Sequence, residues 1–269
     1  MNREDQQERR FGRLTEQGDD GLLTYDSYLK IGELLSLQQL RSDPPVHDEL
    51  LFIVVHQVYE LWFKQLLFEL EAACDAMREG LCGRAQQLLG RVRAIERVLI
   101  EHIQVLQTMT PQDFLEFRDA LTPASGFQST QFRELEFLSG LKDRRFLEDL
   151  ATGSGERERL VRRFAEPTAW DGFVDLMRAH GFSMPDDDAE ARAASLVAMA
   201  REQGDVFAVS EGLLDHDEML ARWRCMHVLM VEREIGAKRG TGGSSGVGYL
   251  RSTLDKRCFP ELWGLRSLL

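Results

Sequence analysis

Two histidines, His56 and His227, lie on apolar helical stripes and could hold a cofactor. At helical spacing, His56 shares a face with Phe52 and Phe63, and His227 shares one with Trp223. Taken singly, each is most simply a hydrogen-bonded core histidine. Two of them on different long helices instead favour a site between facing helices of a bundle. The other four histidines are interpreted as structural or surface residues: His47, His102, His180 and His216.

The residues around these two histidines limit which metal or cofactor the site could hold. Zinc needs three or four protein ligands, and the sequence has no HExxH motif and no Cys/His cluster. Di-iron bundles use Glu-x-x-His pairs, which the relevant helices lack. Haem needs a single imidazole in an otherwise apolar cavity, and this matches the pattern. Spacing alone leaves both the haem site and the core-histidine interpretation open.

Arg118 and a glycine-rich segment, KRGTGGSSGVG at 238–248, could bind a polar ligand. Arg118 follows Phe114 by four residues, and its planar fork suits a carboxylate, although such arginines also pair with acids or extend to solvent. The segment lacks GxxxxGK[ST] and follows a helix, which excludes a phosphate-binding loop of that class. Its glycines indicate close approach to a ligand or positive φ, with the Thr241 hydroxyl available; a mobile surface loop is the alternative.

Long amphipathic segments must position these residues, and they are typical of an all-α protein. Pro44-Pro45 followed by two acids predicts the start of a helix that carries His56 and continues to about residue 80. Short exposed helices are predicted within 141–166, and Phe259-Pro260 is interpreted as a break. Further helices are predicted at about 85–109, 111–121, 129–138, 168–179, 211–235 (with His227) and 250–256.

Composition excludes several classes of protein. A length of 269 residues with 43% hydrophobic residues fits one helical domain. A net charge of −12 argues against nucleic acid and against an anionic membrane surface. The longest apolar run, residues 50–55, is far shorter than the ~20 residues of a membrane span. The N-terminus lacks a signal-peptide core, and the four scattered cysteines suit reduced thiols. We therefore expect a soluble cytoplasmic protein that binds neither nucleic acid nor membranes.

Read together, five stretches resemble the tryptophan 2,3-dioxygenase family, in the family's order and over most of the chain. The combination of FRxxLxPxSGFQS with the glycine-rich segment is highly specific. The stretches are LTYDSYLKIGELLSLQQ at 23–39, HDELLFIVVHQVYELWFKQLLFEL at 47–70, FRDALTPASGFQSTQFRELE at 117–136, WRCMH at 223–227 and KRGTGGSSGVGYL at 238–250.

The resemblance implies a helical bundle that encloses haem b, active with Fe²⁺. Its implied reaction opens the indole ring of L-tryptophan with O₂ to give N-formyl-L-kynurenine, the first step of tryptophan degradation through kynurenine. It also implies a homotetramer built as a dimer of dimers. The expected organisation is a single domain over residues 1–269. Within it, residues 1–40 form an N-terminal segment that swaps to a neighbouring subunit, and about 141–205 form a small peripheral helical cap.

Carried over residue by residue, the resemblance makes His227 the proximal haem ligand and the metal ligand. It makes His56 the distal catalytic histidine, which hydrogen-bonds the indole N–H and orients the ring. Arg118 would bind the substrate carboxylate, Thr241 its ammonium and carboxylate end, and Phe52 would pack against the indole. The residues expected at the haem are Ser125, Gly126, Phe114 and Trp223. Those expected to reach a neighbouring subunit's substrate pocket are Tyr25, Tyr28 and Leu29.

Three rival functions remain open from the sequence. A related haem monooxygenase would use the same residues to make an oxindole from tryptophan or a methyl-tryptophan, and product mass separates it from a dioxygenase. A non-catalytic haem or tryptophan sensor is the second rival, although a sensor has no need of an amino-acid clamp such as Arg118 and Thr241. A helical scaffold without a cofactor is the third.

Overall fold

The computed structural model describes residues 23–148, 154–242 and 245–269, and within these ranges every regular element is a helix. The all-α prediction is thereby confirmed. The chain divides into two compact units, residues 1–40 and 41–269. The described part of the first unit holds two short helices, α1 (Tyr25–Leu29) and α2 (Ile31–Leu34). Thr24 caps α1, because its hydroxyl accepts a hydrogen bond from the Ser27 backbone.

The second unit is built on three long helices that pack along one another: α3 (His47–Arg78), α4 (Cys82–Leu106) and α11 (Asp205–Ile235). The buried residues of α4 recur every three or four positions, so one face of this helix packs between α3 and α11. The helices between α4 and α11 are α5 (Pro111–Phe117), α6 (Thr130–Leu138), α7 (Arg145–Glu148), α8 (Gly155–Ala165), α9 (Ala169–Ala179) and α10 (Ala189–Glu202). The chain ends with α12 (Val247–Arg251) and α13 (Pro260–Leu265).

The predicted helix boundaries are wrong at three places. The helix predicted at 250–256 is α12, Val247–Arg251. Helix α11 begins at Asp205, after the N-cap Gly204, about six residues before the predicted start. Phe259-Pro260 is not a break, because Pro260 is the first residue of α13. Proline suits that position, since its missing N–H would have no partner in the first turn of a helix.

The region expected to form a cap contains α7 to α10 and packs in two ways. Helix α9 lies against α3 and buries Phe173 in the main core. Helices α7 and α8 instead contribute Leu147 and Leu160 to a small separate cluster around Phe137 of α6. Residues 149–153 of this region lie outside the described residues.

A buried polar cluster joins three core helices. Ser139 at the end of α6 donates to the Leu135 carbonyl at 2.8 Å, so its oxygen must accept from His216 Nε2 at 2.8 Å. The other ring nitrogen, Nδ1, lies 2.6 Å from Glu96 Oε1 on α4. His216, interpreted from the sequence as a structural or surface residue, lies within α11 and is fully buried, so its role is structural. Its ring therefore links α4, α6 and α11.

A second buried group on α11 holds the C-terminal helix. Asp217 Oδ2 accepts three hydrogen bonds, from the backbone of Cys258 and Phe259 and from Trp263 Nε1, at 2.8, 3.1 and 2.9 Å. These bonds occupy two N–H groups just before and at the start of α13, which a helix cannot satisfy itself.

By length and composition alone, α3 is apolar enough to cross a membrane, and among the described helices it is the one that passes this test. The core helices of soluble proteins pass it as well. Tyr59, Phe63, Leu66 and Leu70 of α3 are buried in the main core.

Candidate active site

A cavity of about 270 Å³ opens between the long helices of the second unit. It is lined by α3, α5, α6 and α11 and by the glycine-rich segment that follows α11. The packing of these helices around the cavity brings together residues that are far apart in the sequence. Nine of the twelve predicted site residues line it: Phe52, His56, Phe114, Arg118, Ser125, Gly126, Trp223, His227 and Thr241.

His56 presents a hydrogen-bond acceptor to this cavity. Its Nδ1 lies 2.7 Å from the Phe52 carbonyl oxygen, which can only accept, so Nδ1 carries the proton. In the neutral ring Nε2 is then the acceptor. Burial lowers the pKa of His56 and outweighs the bond to Phe52 and the charge of Glu60, which act in the opposite direction. The neutral, acceptor form is therefore favoured at neutral pH.

His227 is a second neutral imidazole on the cavity wall. Burial lowers its pKa to about 4, with a smaller effect from His56 in the same direction. The Trp223 ring, one turn earlier on α11, stacks on it with centroids 5.0 Å apart and planes 10° apart. This stacking orients the imidazole. A neutral imidazole has a free lone pair, which is what a metal requires of a histidine ligand.

Aromatic rings line the cavity beside His56. The Phe52 ring lies 4.1 Å from the His56 ring and 5.8 Å from the Phe114 ring, centroid to centroid. Phe117 closes the group from behind, 5.6 Å from Phe52 in an edge-on arrangement. Such a wall favours a flat apolar ligand next to the His56 acceptor.

The polar end of the cavity is formed where two loops meet. The Arg118 side chain donates to the Arg239 carbonyl, and the Thr241 hydroxyl donates to the Ala124 carbonyl at 2.6 Å. These bonds join residues 118–124, which follow α5, to the glycine-rich segment. The guanidinium carries five donors, so the one bond leaves further donors for a carboxylate.

Two glycines allow the glycine-rich segment to fold in this way. A Cβ at Gly242 would lie 2.6 Å from Ser125 Cβ, so only glycine permits this approach. Gly246 has φ of +64°, and a Cβ there would lie 2.6 Å from the Lys238 carbonyl oxygen. The prediction of positive φ is confirmed. The close approach seen in the structure is that of Gly242 to Ser125, on the neighbouring loop.

Sequence reasoning missed a charged group on the cavity wall. Glu136 Oε2 accepts from Arg133 at 2.5 Å, and its Oε1 accepts from Arg224 at 3.1 Å, with all three side chains buried. Two positive charges thus share one carboxylate. Arg133 Nε and Arg224 Nη1 are buried without a partner. The one sequence feature that could have indicated this charged group is the position of Arg224, three residues before His227.

These features fit a haem. The group is a flat apolar macrocycle with two carboxylate side chains, and it needs one axial imidazole from the protein. His227 offers a neutral imidazole, the aromatic wall offers apolar contact, and the excess positive charge of Arg133 and Arg224 suits the carboxylates. The donor set and the unpartnered guanidinium nitrogens therefore agree with the haem expected from the sequence.

The remaining three predicted site residues lie in the first unit. Tyr25, Tyr28 and Leu29 are on α1, and they are 77%, 70% and 41% exposed. Their expected place is the pocket of a neighbouring subunit, so this prediction concerns an assembly of chains.

The fold and the site together define an all-α protein whose central cavity combines two neutral histidines, an aromatic wall and a polar end that carries Arg118 and Thr241. A family model described as tryptophan 2,3-dioxygenase matches residues 12–160 and 190–269. A tryptophan 2,3-dioxygenase of Nocardioides sp. is 58% identical over 266 residues, which cover 96% of this chain and 98% of that protein. Those of Herpetosiphon aurantiacus and Caulobacter vibrioides are 47% and 41% identical, over 91% and 92% of this chain and 98% of each relative.

The chain belongs to the tryptophan 2,3-dioxygenase family, and it is an enzyme of the dioxygenase class. The resemblance seen in the sequence is thereby confirmed. The family is haem-dependent in general.

Proposed function

We propose that this enzyme opens the indole ring of L-tryptophan with O₂ to give N-formyl-L-kynurenine, using haem b bound through His227. The indole C2–C3 bond is broken, and both atoms of O₂ are incorporated into the product. One observation supports this most directly: the same cavity holds a neutral His56 acceptor and, at its polar end, the Arg118 guanidinium. An amino acid with an indole N–H matches both ends.

The residues that would hold the haem are those already described. His227 would hold its iron, with Trp223 fixing the orientation of the imidazole. Arg133 and Arg224 would face its carboxylates, and Ser125, Gly126 and Phe114 would contribute further contacts. Bound there as the ferrous group, haem would supply the iron that activates O₂.

The chain's own residues hold the substrate in one pose. His56 Nε2 accepts the indole N–H, and its bond to the Phe52 carbonyl keeps this nitrogen unprotonated. Arg118 binds the carboxylate, and Thr241 bonds the amino-acid end. Phe52 packs on the indole plane. His56 acts by orienting the ring and holding its N–H proton, so its loss should slow turnover without abolishing it.

The same proposal extends to the assembly. We infer a cytoplasmic homotetramer, a dimer of dimers, in which Tyr25, Tyr28 and Leu29 contribute to a neighbouring chain's substrate pocket. Their exposure supports this, because three large apolar or aromatic side chains on a five-residue helix favour burial against a partner.

The test uses the full chain loaded with haem. It is reduced without oxygen, mixed with L-tryptophan and then exposed to isotopically labelled O₂. The expected product absorbs as formyl-kynurenine and carries two labelled oxygens. A product with one labelled oxygen would instead indicate a monooxygenase, and a haem spectrum perturbed by tryptophan without turnover would indicate a sensor. Protein that stays colourless after haemin is added would overturn the proposal.

A further inference from the structure

The outward face of α3 is apolar over more than half of its length. The exposed residues of this helix recur every three, four or seven positions, which places them on one stripe. Four of them are large and apolar: Leu50, Val54, Leu61 and Phe68, which are 47%, 39%, 52% and 66% exposed. At 1.5 Å per residue, the row from Leu50 to Phe68 is about 27 Å long. Single exposed apolar residues are ordinary, whereas a row of this length is typical of an interaction surface.

The packing of the chain does not explain this apolar stripe. A surface helix normally directs polar residues outward. In α3 only 22% of the most apolar 18-residue window is buried, whereas the core helix of a soluble protein is mostly buried. The net charge of −12 argues against the surface of an anionic membrane as the partner. A protein partner is therefore favoured.

The order of residues along α3 favours a second copy of the same chain. Val54 and Phe68 lie seven residues on either side of Leu61. When two copies of α3 run antiparallel about a two-fold axis at Leu61, this residue meets its own copy, and Val54 meets the partner's Phe68. The stripe is therefore complementary to itself, as an interface on a two-fold axis must be.

The charged residues at the two ends of α3 favour the same antiparallel arrangement. His47 and Asp75 lie fourteen residues on either side of Leu61, and the His47 side chain is 99% exposed. The antiparallel pairing places this imidazole opposite the partner's Asp75. A parallel pairing would instead place Asp75 against its own copy, and such like-charge contacts are unfavourable.

The symmetry of the proposed assembly requires a surface of this kind. A dimer of dimers has two different interfaces, each formed about a two-fold axis. Helix α1 would supply one of them. We propose that the apolar stripe of α3 is the second interface, packed antiparallel against the same stripe of another chain. The inference rests on the proposed homotetramer, because it assigns one interface of that assembly to a particular surface.

The experiment introduces a charge at the two-fold axis. Leu61→Glu and Leu61→Lys each place like charges against each other, because position 61 meets its own copy. Mass is measured by light scattering after gel filtration of the haem-loaded full chain. Each variant should have about half the mass of the wild type, because the contacts through α1 remain. An equimolar mixture of the two variants should recover the wild-type mass, because glutamate then meets lysine.

The matched control is Val161→Glu, which adds the same charge at an exposed apolar residue of α8. It should leave the mass of the assembly unchanged. Circular dichroism compares the helix content of all three variants with that of the wild type. Leu61 is half exposed, so its replacement should leave the helix content unchanged.

Halved mass in both Leu61 variants, with recovery in the mixture, supports the proposal. Wild-type mass in Leu61→Glu overturns the inference and leaves the proposed homotetramer standing. A mixture that does not recover, or an equal effect of Val161→Glu, also overturns it. A monomeric wild type would overturn the proposed homotetramer as well. Vesicles that contain phosphatidylserine are tested in parallel. If they bind the wild type but not Leu61→Glu, the stripe is a membrane-binding surface and the proposal is wrong.

Discussion

The contact between Gly242 and Ser125 controls how closely the two loops of the polar end approach. In Gly242→Ala the added Cβ would lie 2.6 Å from Ser125 Cβ and 3.1 Å from its Oγ. Carbon atoms prefer about 3.5–4.0 Å, so the loops must separate by about 1 Å. Overpacking of this kind costs about 1–3 kcal/mol. The displaced loop carries Thr241, so we expect the cost to appear in substrate positioning.

At about 1.4 kcal/mol for each factor of ten, kcat/KM for L-tryptophan should fall about 5- to 150-fold in Gly242→Ala. The haem should still bind, because its ligand His227 lies outside this contact, although the contact of Ser125 with the haem is displaced. The control is Gly248→Ala, where the new Cβ would meet nothing closer than Ser245 Oγ at 3.7 Å. Steady-state kinetics and haem absorbance measure both variants. Wild-type kcat/KM in Gly242→Ala, or an equal loss in Gly248→Ala, would refute the reasoning.

Three further predictions concern named contacts. His227→Ala should lose haem absorbance on purification, whereas His56→Ala should keep the haem and part of the turnover; a His227→Ala protein with full haem content would contradict the ligand assignment. Arg118→Lys should raise the KM for L-tryptophan about 10- to 100-fold in steady-state kinetics, because the charge remains but the planar fork is lost, and an unchanged KM would exclude the carboxylate contact. Glu96→Leu should lower the free energy of unfolding in urea by about 3–5 kcal/mol, since it leaves His216 buried without its partner; stability equal to the wild type would show that the pair contributes little.

Helical periodicity was sufficient to locate the main helices and the two central histidines. His56 and His227 each lie on a wide apolar stripe, and the stripe indicates which face of the helix is buried. The start of α11 was missed, because residues 205–210 extend the helix without a strong N-cap side chain. Gly204 occupies that position. The start of α13 was missed because Phe259, at its N-cap position, has no side chain that could cap a helix.

Partners across the core could not be predicted from periodicity. Glu96 and His216 are 120 residues apart, and Ser139 and His216 are 77 apart, so their meeting depends on the packing of three helices. A buried face indicates that a side chain is inside but not which residue it meets. Glu234, which lines the cavity, was missed for a related reason. It lies in the charged stretch VEREI, where a glutamate is expected at the surface, yet the end of α11 turns it toward the cavity.

The three bonds to Asp217 make the C-terminal tail a structural part of the helix that carries His227. A protein shortened to end before Cys258 would leave this carboxylate enclosed with none of its three donors, and losing the partners of a buried charge typically costs several kcal/mol. A purification tag is therefore better appended after Leu269 than substituted for the last helix. Proteolytic removal of the tail should weaken retention of the prosthetic group, because Asp217 and His227 lie on the same helix, α11.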